Sequence, residues 1–499
     1  RRYYFDDPGK MLFLRAGWCL DHYALEWGAG MTIMETTNTG PYRHQASLFF
    51  TRGAARQYGK PWQWYMATFY NGFDRAGKAS VNNEPDYIGT RKWEPGEAAP
   101  GCGMSVSLKR RDMYLAYLSG ASLVEHEDWP RVYCQYRNGN PQQWELSPHG
   151  EAMQEWYGFT QRYPERGVSY APVALLVPFS QGMPQWGGSP WSRFSPERAD
   201  AMVDAFFYTV APFSQNLREG KEGCLANGEF GDLYDVLVPN PPSGPIPLAT
   251  LLSYKVAILL GKVDVDAPLA ARLMEYVRQG GTLVVNSRQI GTSLPVEFTG
   301  ATPSGQAVGV AGPVLALPDG ETVSLTEPYD YQPVELRGAE ALWRDASGGI
   351  LASVNRVGRG RVVLTTVDSM VPRKQPNLLG TATRMPLVAL LMRQIVREVV
   401  PLQVSGDIEY GFCKVPDGWW VYLINNNGVT KFTNTPEELD PAATAQVTVA
   451  LRTLRASRVC ELRQDRQIAV DEGTNAFRLE VGPGDIRVVK ITVISKEGP

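Results

Sequence analysis

Residues 21–38 read DHYALEWGAGMTIMETTN. A helix over Asp21–Trp27 runs into a short apolar strand, Met31–Met34, which ends in Glu35-Thr36-Thr37-Asn38. The same order recurs downstream: helix Ala46–Tyr58 (ASLFFTRGAARQY) into strand Pro61–Tyr70, ending in Asn71, and helix Met113–Ser119 into strand Ala121–Val124, ending in Glu125-His126-Glu127-Asp128. Polar residues collected where successive αβ units finish their strands are the way a (β/α)8 barrel builds an active site. Met11–Arg15 supplies a further strand, and the four candidates read as strands five to eight of a TIM barrel. Helix Pro148–Tyr163 closes the set, with Pro148 in its first turn. The pattern predicts the C-terminal half of a barrel over residues 1–168. Half a barrel leaves unpaired edges and an uncovered core. The missing N-terminal half is therefore expected as an upstream segment of the same precursor or as a companion chain.

Further along, the chain changes character twice. Residues 169–400 carry continuous apolar strands, Val173–Pro178, Asp235–Val238, Val256–Leu260, Thr282–Asn286 and Val362–Thr366, alternating with helices at Pro196–Tyr208, Ala267–Arg278 and Pro386–Val399. Fully apolar strands between helices mark a parallel sheet covered on both faces. An insert near 295–350 reads as short strands. Residues 401–499 hold period-2 or apolar runs at Trp419–Ile424, Ala445–Leu451, Arg458–Leu462, Ala476–Val481 and Ile486–Ile494, separated by turn signals, which predicts an antiparallel β-sandwich.

The 499 residues carry a net charge of −3 and show no basic stripe, which argues against nucleic-acid and anionic-membrane partners. No apolar run approaches the ~18–20 residues needed to span a bilayer. Six scattered cysteines without a C-x-x-C argue against a zinc or redox centre, and no metal or cofactor is expected. The four histidines and seven of the thirteen tryptophans fall in the first 150 residues. Such a stretch suits carbohydrate: aromatic faces stack on sugar C–H surfaces while polar groups bond the hydroxyls. An aromatic-rich core accounts for some of the same residues.

Glycoside cleavage needs two carboxyl groups flanking one bond. Glu35 and Glu125 each follow an apolar strand, two units apart, and are the candidate catalytic pair; salt bridges to arginine or bonds to loop amides are the structural alternative. Asn38, Tyr42, Arg43, His44, Gln45, Tyr70, Asn71, Trp93, Glu127, Asp128 and Trp129 lie at or just beyond the strand ends and are the candidate sugar contacts, although capping of the next helix competes for Arg43, His44 and Gln45. Glu127 shares a face with Glu125 if the strand continues. In WQWYM, Trp62 and Trp64 alternate with Gln63 and Tyr65, so one set faces the barrel interior; the tryptophans are expected in packing. Arg52 and Arg56 lie four apart on a helix slimmed by Gly53, Ala54 and Ala55, with Arg56 a candidate partner for a site carboxylate. In the middle region, phosphate-binding glycine motifs are absent. Cys224 follows no apolar strand and has no histidine after residue 149 to act as its base, so that region reads as catalytically silent.

The order of parts, with ARLMEYVRQGGTLVVNS in the middle and DGWWVYLINNNG near the end, resembles the multidomain glycoside hydrolases of the family 42 β-galactosidase group. The resemblance implies a flavodoxin- or amidotransferase-like α/β domain after the barrel, then the β-sandwich, and a homo-oligomer, trimer or dimer. It implies a retaining hydrolase acting on an oligo- or polysaccharide. In that superfamily an acid/base Glu follows an Asn at the fourth strand and the nucleophile ends the seventh. Here Glu35 ends the sixth by count and the seventh ends without a carboxylate, so either the count shifts by one or sixth- and eighth-strand groups act. A non-catalytic carbohydrate-binding or scaffold protein is the alternative, and an amidotransferase-like enzyme using Cys224 a third reading. A periplasmic or extracellular location is favoured over a cytoplasmic one.

Overall fold

The computed structural model describes residues 12–15, 20–36, 44–67, 71–73, 79–81, 104–127, 132–140, 142–181, 197–212, 214, 222–290, 293–374, 385–432 and 435–494, with backbone alone for 12–15, 71–73 and 79–81. The chain is a mixed α/β molecule with several sheets.

The N-terminal region builds one sheet from strands β1 (Leu12–Arg15), β2 (Met31–Thr36), β3 (Trp62–Met66) and β4 (Leu123–His126), in that spatial order and all parallel. Helices α1 (Leu20–Glu26), α2 (His44–Tyr58) and α3 (Val106–Ser119) connect them, and α4 (Pro148–Arg162) follows. Ser105 caps α3 by accepting from the Leu108 amide at 3.0 Å, and Gly120, in the left-handed region at φ 97°, ends it. The Ser147 hydroxyl caps α4 in the same way, ahead of Pro148.

Strand ends differ from the sequence expectation in ways that matter. The first strand runs to Thr36 and the third to His126, so Glu35 and Glu125 sit inside paired strands rather than after them. The second is Trp62–Met66, shorter than Pro61–Tyr70. The last helix of the three begins at Val106, seven residues before Met113. Its first turns carry Lys109, Arg110, Arg111 and Asp112, which hid a helix whose charged residues are largely buried in contacts with other parts of the chain.

The two faces of this sheet are unlike. Met34, Trp64 and Met66 are buried beneath the helices, with the Trp64 indole N–H donating to Thr36 Oγ1 at 2.7 Å. Trp62 and Trp64 pack, as their alternation predicts, with ring centroids 6.4 Å apart. The opposite face carries Glu35, Tyr65 and Glu125, and beside Glu125 the exposed Leu123.

Helix α2 is slim for a reason the sequence did not reveal. A Cβ on Gly53 would lie 2.0 Å from the Val236 carbonyl oxygen. The helix is pressed against the backbone of strand Tyr234–Leu237, the edge of the middle sheet.

Among the described residues, that middle sheet has nine strands. Tyr234–Leu237, Val173–Leu176, Val256–Leu259, Thr282–Asn286 and Gly360–Thr365 run parallel; Ile350–Val357, Glu340–Arg344, Val314–Ala316 and Thr322–Ser324 complete it antiparallel. Alternate residues enter different apolar clusters: Val173 and Leu175 join the large one, Ala174 and Leu176 the smaller. Burial on both faces explains why these strands read as unbroken apolar runs.

At the C-terminus, among the described residues, a six-stranded antiparallel sheet centres on Gly418–Ile424 and Ile486–Val493, and a three-stranded one on Ala445–Ala450. Two of its members were not anticipated. Glu409–Val415 is a full strand, and Val168–Ser169, from the connection after α4, adds to its edge. One buried apolar cluster runs from Met34 and Trp64 through Phe206 and Val236 to Tyr410 and Ile491, so the parts share a core.

Candidate functional site

Register brings the candidate carboxylates together. Glu35 pairs with Tyr65 across β2 and β3, and Tyr65 pairs with Glu125 across β3 and β4. In-register residues of neighbouring parallel strands project from the same face. The row Glu35–Tyr65–Glu125 therefore lies across the face opposite Trp64, with Glu35 and Tyr65 half-buried and Glu125 exposed, and with the outer two backbones about 9.6 Å apart, two strand spacings. Glu127 continues the pairing beyond β4: its amide donates to the Met66 carbonyl at 3.1 Å, which returns its side chain to the face of Glu125.

Tyr65 is the centre of this arrangement. Its hydroxyl is hydrogen-bonded to Glu127. Burial, then the nearby carboxylates of Glu127, Glu35 and Glu125, push the phenol well above its ordinary value, so it stays protonated as a donor. Gln63, two residues earlier on the same face, donates from its amide to Glu125 Oε2. Three carboxyl groups thus surround one fixed phenol, and an amide orients one of them. Neither Tyr65 nor Gln63 was singled out from sequence, although the alternation in WQWYM placed them together on one face.

The other predicted contacts divide into two groups. Asn38, Tyr42, Arg43, Tyr70, Trp93, Asp128 and Trp129 lie outside the described residues. Asn71 pairs with Val81 in a short hairpin, its side chain outside the described part. His44 and Gln45 are corrections: both are buried in the first turn of α2, which faces the segment at 222–232. His44 Nδ1 meets Asp112 Oδ1 at 2.9 Å. Burial works to lower its pKa, but Asp112 and the Cys224 thiol outweigh that and hold the imidazolium form. Gln45 donates to the Ala226 carbonyl and accepts from the Ala226 amide, both at 3.1 Å. The partner histidine that Cys224 lacked in its own region is thus supplied by α2, in a cluster whose three members are all buried.

Arg52 and Arg56 are also turned away from the carboxylate row. Arg52 Nε reaches Asp235 Oδ1 at 2.7 Å and Arg56 Nη1 reaches Asp235 Oδ2 at 2.5 Å, tying α2 to the middle sheet. His126 faces the helices, where Tyr133 Oη lies 2.7 Å from its Nδ1; burial, then Lys109 and His149, lower its pKa to about 2. Among the described residues, no group of three or more His, Cys, Asp or Glu is arranged to hold a metal ion, and no helix is long and apolar enough to cross a membrane.

No family model and no curated protein matches this sequence. Solved structures do. A β-galactosidase from Bacillus circulans sp. alkalophilus aligns with TM-score 0.55 and 13% identity over 96% of this chain and 63% of that one. A catalytic mutant of a GH42 β-galactosidase from G. stearothermophilus aligns with TM-score 0.53 and 12% identity over 97% and 63%. An α-L-fucosidase from Paenibacillus thiaminolyticus aligns with TM-score 0.53 and 14% identity over 94% and 66%. This chain spans less than two thirds of the length of each of these proteins. At such identities the likeness is one of fold, and over nearly its whole length the chain has the GH42-like architecture.

Proposed function

We propose that this chain belongs to a glycoside hydrolase that cleaves a glycosidic bond in an oligo- or polysaccharide, with Glu35 and Glu125 as the carboxyl pair. The observation that carries this reading is the in-register row Glu35–Tyr65–Glu125 on one face of a parallel sheet. One carboxyl group protonates the leaving oxygen while the other attacks the anomeric carbon, and water then releases the sugar. A retaining pair stands ~5–5.5 Å apart and an inverting pair ~6.5–9.5 Å. From backbones about 9.6 Å apart, each glutamate reaches the retaining distance by leaning about 2 Å towards the other over Tyr65. The protonated phenol fixes Glu127 beside the pair, and Gln63 orients Glu125. Asn38, Tyr42, Arg43, Tyr70, Asn71, Trp93, Asp128 and Trp129 would then contribute the sugar contacts.

On this reading the four parallel strands are the C-terminal half of a (β/α)8 barrel, followed by an amidotransferase-like domain and a β-sandwich. Among the described residues, β1 and β4 are each paired on one side only, and Leu123 stands exposed next to Glu125. Further strands, from the same precursor or from a companion chain, would cover both. A homo-oligomer and a location outside the cytoplasm belong to the same proposal.

The test is release of aglycone from a panel of aryl glycosides, with the anomer of the first product followed by NMR. The proposal expects turnover of at least one member with retention of configuration. Binding of sugars without any turnover by the full-length protein favours the competing reading, a carbohydrate-binding scaffold.

A further inference from the structure

A second pair of acids lies away from that row, where the three parts of the chain meet. Asp232 precedes strand Tyr234–Leu237 of the middle sheet, and Glu409 opens strand Glu409–Val415 of the C-terminal sheet. They are 1% and 0% exposed, and their carboxyl groups are hydrogen-bonded to each other. Two ionised carboxylates offer only acceptors. The contact therefore requires a proton between them.

The surrounding donors show where that proton resides. Asp232 Oδ1 accepts from Gln45 Nε2 of α2 at 3.3 Å, and Oδ2 accepts from the Tyr422 hydroxyl at 3.1 Å. Glu409 Oε2 accepts from the Asn426 amide, while among the described residues no donor reaches Glu409 Oε1. Glu409 Oε1 is the oxygen left to carry the hydrogen. The neighbouring cations are already engaged. Arg52 of α2 bonds Asp235 at 2.7 Å and the Asp232 carbonyl at 3.1 Å, and Arg111 of α3 is held by the Asn426 side-chain oxygen. Tyr234, Tyr410 and Tyr422 face the pair with phenols that burial keeps protonated, and Glu229 lies beyond Tyr234 and Tyr410.

We propose that Asp232 and Glu409 share one proton and act as a pH-sensitive clamp that joins helix α2, the middle sheet and the C-terminal sheet. Burial pushes both acids up, Asp232 to about 6 and Glu409 well above the carboxylate range; Asp232 raises Glu409 further, while the bond with Glu409 works to lower Asp232. A raised folded pKa stabilises the fold below the unfolded value of about 4, and that stability is lost as pH rises through the folded value. The clamp is closed in mild acid and opens in alkali. Because α2 links the strands that bear Glu35 and Tyr65, opening would loosen the candidate site from behind. The clamp itself does not depend on the glycosidase reading.

The test is the thermal midpoint of the wild-type chain, Glu409→Gln and Asp232→Asn, measured from about pH 5 to about pH 9. Glu409→Gln keeps a permanent amide donor towards Asp232, so its midpoint should fall by about 2 °C or more less than the wild type's over that range. Asp232→Asn should flatten the dependence likewise. If one variant fails to fold, the other decides. Parallel slopes in wild type and variant overturn the clamp, as does the absence of a protonated-carboxyl infrared band from the wild type at about pH 6.

Discussion

Tyr65 and Asp235 show how single residues divide between chemistry and cohesion. Tyr65 stands between Glu35 and Glu125 in register and is hydrogen-bonded to Glu127. Tyr65→Phe removes only the hydroxyl, so kcat should fall by about 10²-fold with a much smaller change in KM. Steady-state kinetics on the best aryl glycoside check this; an unchanged kcat would place the phenol outside the chemistry. Asp235 is buried between Arg52 and Arg56. Burial alone would raise its pKa, and the two guanidinium groups outweigh that and hold it below the usual range. Its contribution is present above about pH 4 and is lost as pH falls through the lower folded value. Asp235→Asn should cost about 3–5 kcal/mol at about pH 7, because it leaves a buried arginine uncompensated. The difference from wild type should shrink near about pH 3, as urea unfolding at both values would show. Glu35 and Glu125 stood out in the sequence as polar residues closing apolar runs, although both lie within their strands. Tyr65 did not, because an aromatic beside two tryptophans reads as core until register shows which face it takes.

Helix α2 makes the corresponding point for elements. Its length and small-residue stripe were readable, and helices Ala267–Arg278 and Pro386–Val399 have the expected bounds. Its partner was not readable. A slim face predicts close approach, but periodicity is silent on which element approaches, and the answer is a strand 183 residues downstream, as from Gly53 to Val236. The same ignorance misassigned His44 and Gln45, whose polar groups serve the junction with residues 222–232. Gly53→Ala should destabilise the chain by about 1–3 kcal/mol, because the new methyl meets backbone rather than a movable side chain. Differential scanning calorimetry checks this. An unshifted midpoint would mean that α2 and strand Tyr234–Leu237 separate without cost.

At the scale of the molecule, composition and alternation of elements anticipated a barrel-like region, a parallel sheet buried on both faces and an antiparallel end. The described residues carry a four-stranded parallel sheet, a mixed nine-stranded sheet and antiparallel C-terminal sheets in that order, in a GH42-like architecture. What sequence could not reveal is the cohesion among them. The linking groups are polar residues scattered through the chain: Gln45, Arg52, Asp232, Asp235, Glu409 and Tyr422. Each looks like an ordinary surface residue until its partner is in place. Hydrolysis on the first sheet by Glu35 and Glu125 is the activity proposed for this chain. Its most direct test is the rate of aryl-glycoside hydrolysis by Glu35→Gln and by Glu125→Gln, each with its wild-type melting profile intact. Pairing of Glu35 and Glu125 at one glycosidic bond predicts that each variant loses about 10²-fold or more of the wild-type rate. Full hydrolysis by Glu35→Gln would contradict it.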